Sequence, residues 1–483
     1  MTLQILLTIQ KGVIKLTTSL LLRNAHVVDP VSGIDGLRDV AIADGKIVAV
    51  QPCLHPADFS DVYDLCGYHL IPGIVDLHVH ASEWLGGSSG HKMLADAGVT
   101  TALDMSGPID GVLRMAARHG AGLNIASIEY VRPGETVTDA NPDRRELSAL
   151  LERVLSAGSI GLKLLGGHYP LTPDATAEAI RVANQSKAYV AFHAGSMSTG
   201  SHIEGMLEAI RLADGGHMHM AHVNSYCRGA VRGHMEETEE AIAALIANPN
   251  IVSESYLGLI NGTSAQCIDG VPASKVTERC LKLGGFTPDE SGMEAAILDG
   301  WAQINMESCG RVILAVGKVA RDYWRSLDTN APVSFAVNPP EPRLRLAAAR
   351  RPDGDFVVDA ISTDGGGIPR NVILGMGLSL VKLEVLNISD FVRKISYKPA
   401  QILGLKNKGH LSPGADADIT VFDYQAQKPV MTLVNGRFSM YHGLIVGKGS
   451  SIITTQRGES AVKAQGLEAI VINPAESALY LGR

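Results

Sequence analysis

From about residue 18 to 70 the chain alternates apolar and polar positions in short runs, "SLLLRNAHVVDP", "DVAIADGKIVAV" and "DVYDLCGYHLIPG". That is the period of half-buried β-strands. Asp44-Gly45, set between two such runs, predicts a hairpin turn. The same texture returns near 408–440, in "KGHLSPGADADITVFD" and "PVMTLVNGRFSMYHG". Residues 18–70 and 405–450 therefore predict one small β domain built from both ends of the chain, with 451–483 as a C-terminal extension. In between, strand patterns at 73–80, 100–106, 123–131, 158–166, 188–195, 217–223, 251–257 and 355–363 alternate with helical ones. "RRELSALLERVLSAG" and "EETEEAIAALIANP" carry apolar residues at helical spacing. Eight strands alternating with helices over 71–404 predict an α/β fold of the (β/α)8 barrel type. The stretch of about 265–350 is too long for an ordinary connection and predicts extra helices over the barrel mouth.

Composition narrows the function classes. The 483 residues are 46% hydrophobic with a net charge of −8, and no basic run stands out. Nucleic acid and anionic membrane surfaces are therefore not expected partners. Six scattered cysteines without a C-x-x-C pair fit reduced thiols in a cytoplasmic protein. The segment "LQILLTI" has no basic leader and no small-residue cleavage site, so it reads as an N-terminal extension and not as a signal peptide. No stretch is long enough to span a membrane.

Chemistry collects at the strand ends, where barrel enzymes place their sites. The apolar run "IPGIVDLHVHASE" finishes on His78-Val79-His80, and residues two apart on a strand project from one face. Two adjacent neutral imidazoles fill a core poorly and hold a metal well. The other strands add Lys163 in "GLKLLG", His193 in "AFHAG", His222 in "HMHMAHVNS" and Asp364 in "STDGGG". Each has a plainer reading: histidines pack in strands, Lys163 could pair with a barrel carboxylate, and Asp364 could cap a turn. In strand six, either the His217/His219 pair or His222 faces inward by parity, unless a bulge intervenes.

At these positions the sequence resembles the amidohydrolase superfamily, near its dihydroorotase, hydantoinase and amino-acid deacylase branches, over about residues 18–440. The resemblance implies a distorted (β/α)8 barrel with a small β-sandwich, a homo-oligomer, and one or two divalent metals. His78, His80 and Asp364 would hold the more buried metal, and His193 and His222 the second. Lys163, carboxylated by CO2, would bridge them. A free lysine amine, with a pKa of about 10.4, is a cation and repels metals, whereas its carboxylated form is an anionic oxygen ligand. Zinc is the first expectation, and Mn, Co, Ni or Fe suit the same ligands. In strand six the family pattern selects His222, which would turn His217 and His219 out toward the helices.

The implied activity is hydrolysis of a non-peptide C–N bond in a small molecule, either a cyclic amide or an N-acyl amino acid. A metal-bridging hydroxide would attack the carbonyl, with Asp364 as the catalytic proton carrier. His168 and Tyr169 in "LLGGHYP" are candidate substrate contacts. Tyr256 joins them, because "ESYLGLINGTS" is similar to a tyrosine-bearing strand of N-acyl-D-amino-acid deacylases. Those relatives often carry cysteine where this chain has Lys163. Arg228 and Arg370 could clamp a carboxylate, although solvated surface arginines are the ordinary expectation in mouth loops. Two other functions stay open: deamination of a purine-like ring, against which Lys163 argues, and an inactive barrel serving as an assembly scaffold.

Overall fold

"RRELSALLERVLSA" forms the helix Arg144–Ala157, and it does so for local reasons. The Asp143 side chain accepts the Glu146 N–H at its start, a cap worth about 1 kcal/mol. Gly158, at φ +116°, ends it. Leu147, Leu150, Leu151 and Val154 fall on one face and pack onto Leu162, Leu164 and Val190 of the neighbouring strands. The computed structural model describes residues 19–482 in this detail, and the N-terminal "LQILLTI" lies outside the described residues.

Eight parallel strand positions follow one another in chain order. They are β1 (Ile74–His80), β2 (Val99–Asp104), β3 (Ala121–Ser127) and β4 (Gly161–Leu165), then β5 (Tyr189–His193), β6 (Met218–Met220), β7 (Ile251–Tyr256) and β8 (Ala360–Ser362). The strand order is that of a (β/α)8 barrel, but among the described residues the ladder is not closed. It is two six-stranded parallel sheets. β3 pairs with β2, and only its continuation Glu129–Tyr130 pairs with β4. β8 pairs with β7, and Gly365–Gly366 beyond it pairs with β1. Gly366 is required there: at φ +78°, a Cβ on it would stand 2.3 Å from the His80 carbonyl oxygen.

The break beside β3 is filled from the C-terminus. Gly449–Thr455 runs parallel to β3, and Ala469–Ile472 runs parallel to it in turn. The last helix then sends Tyr480 under the strands, its hydroxyl donating to the Ala188 carbonyl at 2.5 Å. Val75, Leu77, Leu103, Ala191 and Val252 share that interior core with Leu479 and Tyr480.

The β-rich unit, expected as a small β-sandwich, is hydrogen-bonded as one nine-stranded mixed sheet. His69–Pro72 joins its halves, parallel to Ser19–Asp29 on one side and antiparallel to Ile419–Asp423 on the other. Asp44 and Gly45, both at positive φ, make the hairpin between Ile34–Ala43 and Lys46–Gln51. The long segment after β7 is likewise more than helices. It forms a four-stranded antiparallel sheet with its own core around Trp324, Ile304 and Val333. The turn at Cys309-Gly310, both left-handed, closes the hairpin at one edge of that sheet, and that two-residue signal was present in "NMESCGRVIL". Among the described residues no helix is long and apolar enough to cross a membrane, and all six cysteines are free thiols.

Candidate metal centre

A break in register between Asp76 and Val79 resets the alternation of β1, so that Val75 and Leu77 fill the interior while His78 and His80 both point to the mouth. Asp76 is fully buried and explains the anchoring of the opposite side. It accepts the His78 N–H at 3.1 Å, the Thr363 N–H at 3.2 Å and the Thr363 hydroxyl at 2.5 Å. The strand carrying the histidines is thereby tied to the residue before Asp364. Burial pushes Asp76 up to about 7 despite those donors.

Nitrogen and oxygen atoms of His78, His80 and Asp364 lie within 4.8 Å of one another, all three residues buried. His80 Nε2 is 2.8 Å and His78 Nε2 3.2 Å from Asp364 Oδ1. Asp364 itself sits at φ +53°, a left-handed backbone that Asp tolerates better than most residues. Burial alone would raise its carboxyl, but Arg370, His78 and His80 outweigh that and hold it well below the usual range.

His222 and His193 stand against this group. The His222 ring stacks on His78 with centroids 5.1 Å apart, and its Nε2 is 2.8 Å from His193 Nδ1. His193 Nε2 is 2.8 Å from Ser201 Oγ. Burial keeps all these rings neutral, holding His222 down to about 3 and His78 and His193 well below the ordinary value. A neutral imidazole keeps a lone pair that it can offer to a cation.

Lys163 is 1% exposed, and its Nζ donates to Met105 Sδ at 2.9 Å. Asp364 and Glu254 bear on it electrostatically, yet neither forms an ion pair with it, and burial pushes the amine down to about 8. The plain reading of Lys163 as the partner of a barrel carboxylate is not what the side chain does.

Strand six corrects the parity argument. β6 ends at Met220 and His222 sits at φ +67°, so counting alternate residues through 221 and 222 fails. His222 reaches the cluster, but His219 also faces inward. It is in register with Ala191 and Val252, and its Nδ1 is 2.8 Å from the Tyr189 hydroxyl. His217, also expected to turn outward, lies near the base of the strands, its ring 5.3 Å from that of Tyr480.

The two arginines are not solvated. Arg370 is 3% exposed, with Nη2 2.6 Å from Asp364 Oδ2 and Nε donating to the Asp364 carbonyl. Arg228 is half-buried and donates to four neutral oxygens, on Asn338, Ser225, Tyr256 and Asn261. Tyr256 is buried beside it. His168 lies exposed on the rim with its ring 5.9 Å from His193, and Tyr169 is covered by the Arg132 guanidinium at 4.5 Å. Besides Asp76, a second buried carboxylate escaped the sequence reading. Glu254 on β7 lies 2.7 Å from His78 Nδ1. Alternation around Val252 and Tyr256 in "IVSESYL" was the signal that could have found it.

Three imidazole-rich strand ends and a carboxylate suit a divalent transition metal. The orphaned atoms agree: His80 Nδ1 and His222 Nδ1 are buried without a hydrogen-bond partner among the described residues.

A model of the amidohydrolase family matches residues 69–259 and 343–449, taking in all six of these positions and skipping the antiparallel insertion. A dihydroorotase of Geobacter metallireducens is 24% identical over 447 residues, spanning 84% of this chain and 90% of that protein. Among solved structures, a D-aminoacylase aligns with a TM-score of 0.65 at 17% identity, covering 90% of this chain and 99% of its own. The dihydropyrimidinase of Brevibacillus agri aligns with a TM-score of 0.57 at 17% identity, covering 90% and 98%. More than half of the sequence, with every strand end that carries the cluster, lies inside the family's pattern: the chain belongs to the amidohydrolase family, hydrolases of carbon–nitrogen bonds other than peptide bonds.

Proposed function

We propose that this amidohydrolase opens the amide bond of a small cyclic amide or an N-acyl amino acid, using two divalent metals. His78, His80 and Asp364 would hold one and His193 and His222 the other, with Lys163 carboxylated between them. The observation that carries the reading is the convergence of His78, His80 and Asp364 on one point, backed by the stacked His222. Bound metal supplies Lewis acidity, polarising a carbonyl and lowering the pKa of water.

The remaining tasks fall to side chains. Asp364 takes the proton of the attacking water and delivers it to the leaving nitrogen. Arg370 fixes Oδ2, so the carboxylate keeps one orientation through that transfer. Lys163, buried and outside any ion pair with Asp364 or Glu254, has its amine pushed down to about 8, which enlarges the neutral fraction that CO2 requires; the amine loses a proton as the N–C bond forms. Arg228 has no carboxylate partner among the described residues, which favours a substrate carrying a carboxylate of its own. Tyr256 orients that guanidinium, and His168 and Tyr169 line the other side of the mouth. The reading carries with it a cytoplasmic location, suggested by six free thiols, and the homo-oligomer that the family likeness suggests.

A panel of hydantoins, dihydropyrimidines and N-acyl-D- and N-acyl-L-amino acids, run beside metal analysis, tests the proposal. Turnover of one class, abolished by a chelator and restored by zinc or manganese, is the expected result. Full activity with one metal per chain would sink the binuclear form; the D-aminoacylase above is itself described as activated by one metal and attenuated by a second. Ammonia released from a purine-like ring would move the chain to the deaminases. A metal-loaded chain inert on the whole panel would make it a scaffold.

Strand six gives a further expectation. His222→Ala should lose a metal and most turnover. His219→Ala should keep the metals but lose about 1–3 kcal/mol of stability, because the buried Tyr189 hydroxyl loses its partner. Urea denaturation with metal analysis separates the two.

A further inference from the structure

Glu254 is the buried carboxylate to which the reading above gives no task. It lies on β7 and is fully buried; Oε1 is 2.7 Å from His78 Nδ1, and Oε2 has no hydrogen-bond partner among the described residues. A carboxylate placed so deep is costly, and an aliphatic side chain would fill the position more cheaply. Val252, two residues earlier on the same face, does so. The position therefore calls for a chemical reason.

His78 supplies it. Its Nε2 faces Asp364 Oδ1 while its Nδ1 faces Glu254, so the ring is gripped from both edges. An imidazole can offer the Nε2 lone pair to a cation only when its proton sits on Nδ1. Glu254 is the acceptor that keeps the proton there. His80 has no such support, since its Nδ1 is without a partner.

We propose that Glu254 is a positioning residue for the metal centre: by accepting the Nδ1–H of His78, it fixes the tautomer and the ring orientation in which Nε2 faces Asp364. The proposal rests on the metal-site reading given above. The competing role is a counter-charge for Lys163, which lies near enough for each to influence the other although they form no ion pair.

Zinc affinity, measured on the full chain by competition with a chromophoric chelator, distinguishes these. Wild-type protein that binds no zinc above surface background would overturn the metal reading and this inference together. If wild type binds, Glu254→Leu should weaken zinc about 10–100-fold, while the melting temperature of the metal-free protein stays level or rises. Glu254→Gln keeps a neutral acceptor for the Nδ1–H, so its loss should be clearly smaller. If Glu254→Leu does not fold, Glu254→Met, which likewise removes both charge and acceptor, takes its place in the same comparison with Glu254→Gln. Unchanged affinity in Glu254→Leu overturns the proposal and leaves the metal site standing. Equal losses in the two variants also overturn it, since they would mean that charge and not hydrogen bonding is what matters.

Discussion

Asp364→Asn should lower kcat by about 10²–10⁴-fold, the usual cost of removing the group that moves the proton. The amide cannot take a proton from water at neutral pH, and it is a poorer metal donor. The substitution also leaves Arg370 buried without a counter-charge, because the guanidinium is 3% exposed and its ion pair is with Asp364 Oδ2. Breaking a buried pair on one side costs about 3–5 kcal/mol. Asp364→Asn should therefore melt earlier as well as turn over slowly. Pairing it with Arg370→Met, which removes the stranded charge, should recover much of the stability and none of the rate. Steady-state kinetics and thermal denaturation on the single and double variants give the answer. A single variant that keeps a tenth of wild-type kcat would remove Asp364 from proton transfer.

Lys163→Ala should lose one or both metals and nearly all turnover, and the direction of chemical rescue then decides what Lys163 is. The side chain is buried, with Met105 as its hydrogen-bond partner, so its removal opens a space within the ring of strands. If the native group is a carboxylated amine, acetate or propionate at high concentration should restore some metal and some rate. Small amines should restore neither, since a cation there repels the metals. Rescue by amines, or a variant with full metal content and normal turnover, would return Lys163 to the role of a simple buried cation. Metal analysis during the rescue series reports this independently of the substrate chosen.

The alternation of strands and helices, the Asp44-Gly45 hairpin and the mixing of both chain ends in one sheet were legible because each is written in local pattern. So was the clustering of His78, His80 and Asp364, since a barrel's strand ends converge wherever its strands are correctly located. What escaped was set by backbone irregularity and by long-range pairing. His222 reaches the site through a left-handed residue, which no count of alternate positions can foresee, and the inward turn of His219 was misread for the same reason. Arg370 looks like any loop arginine until Asp364 is brought to its guanidinium. Glu254 sits between two serines, so its stretch reads as mildly polar, and its value appears only with His78 across the interior. The strand Gly449–Thr455 was hidden because its partner, β3, lies more than three hundred residues away in sequence.

That last pairing sets a timetable for synthesis. A chain made from its N-terminus exposes β3 early, yet the neighbour that covers the other edge of β3 is made more than three hundred residues later. The same holds for His69–Pro72, which waits for Ile419–Asp423. Such distant contacts slow folding, because loop closure precedes any reward for it. Until Gly449–Thr455 arrives, the open edge of β3 is a template for pairing with other chains.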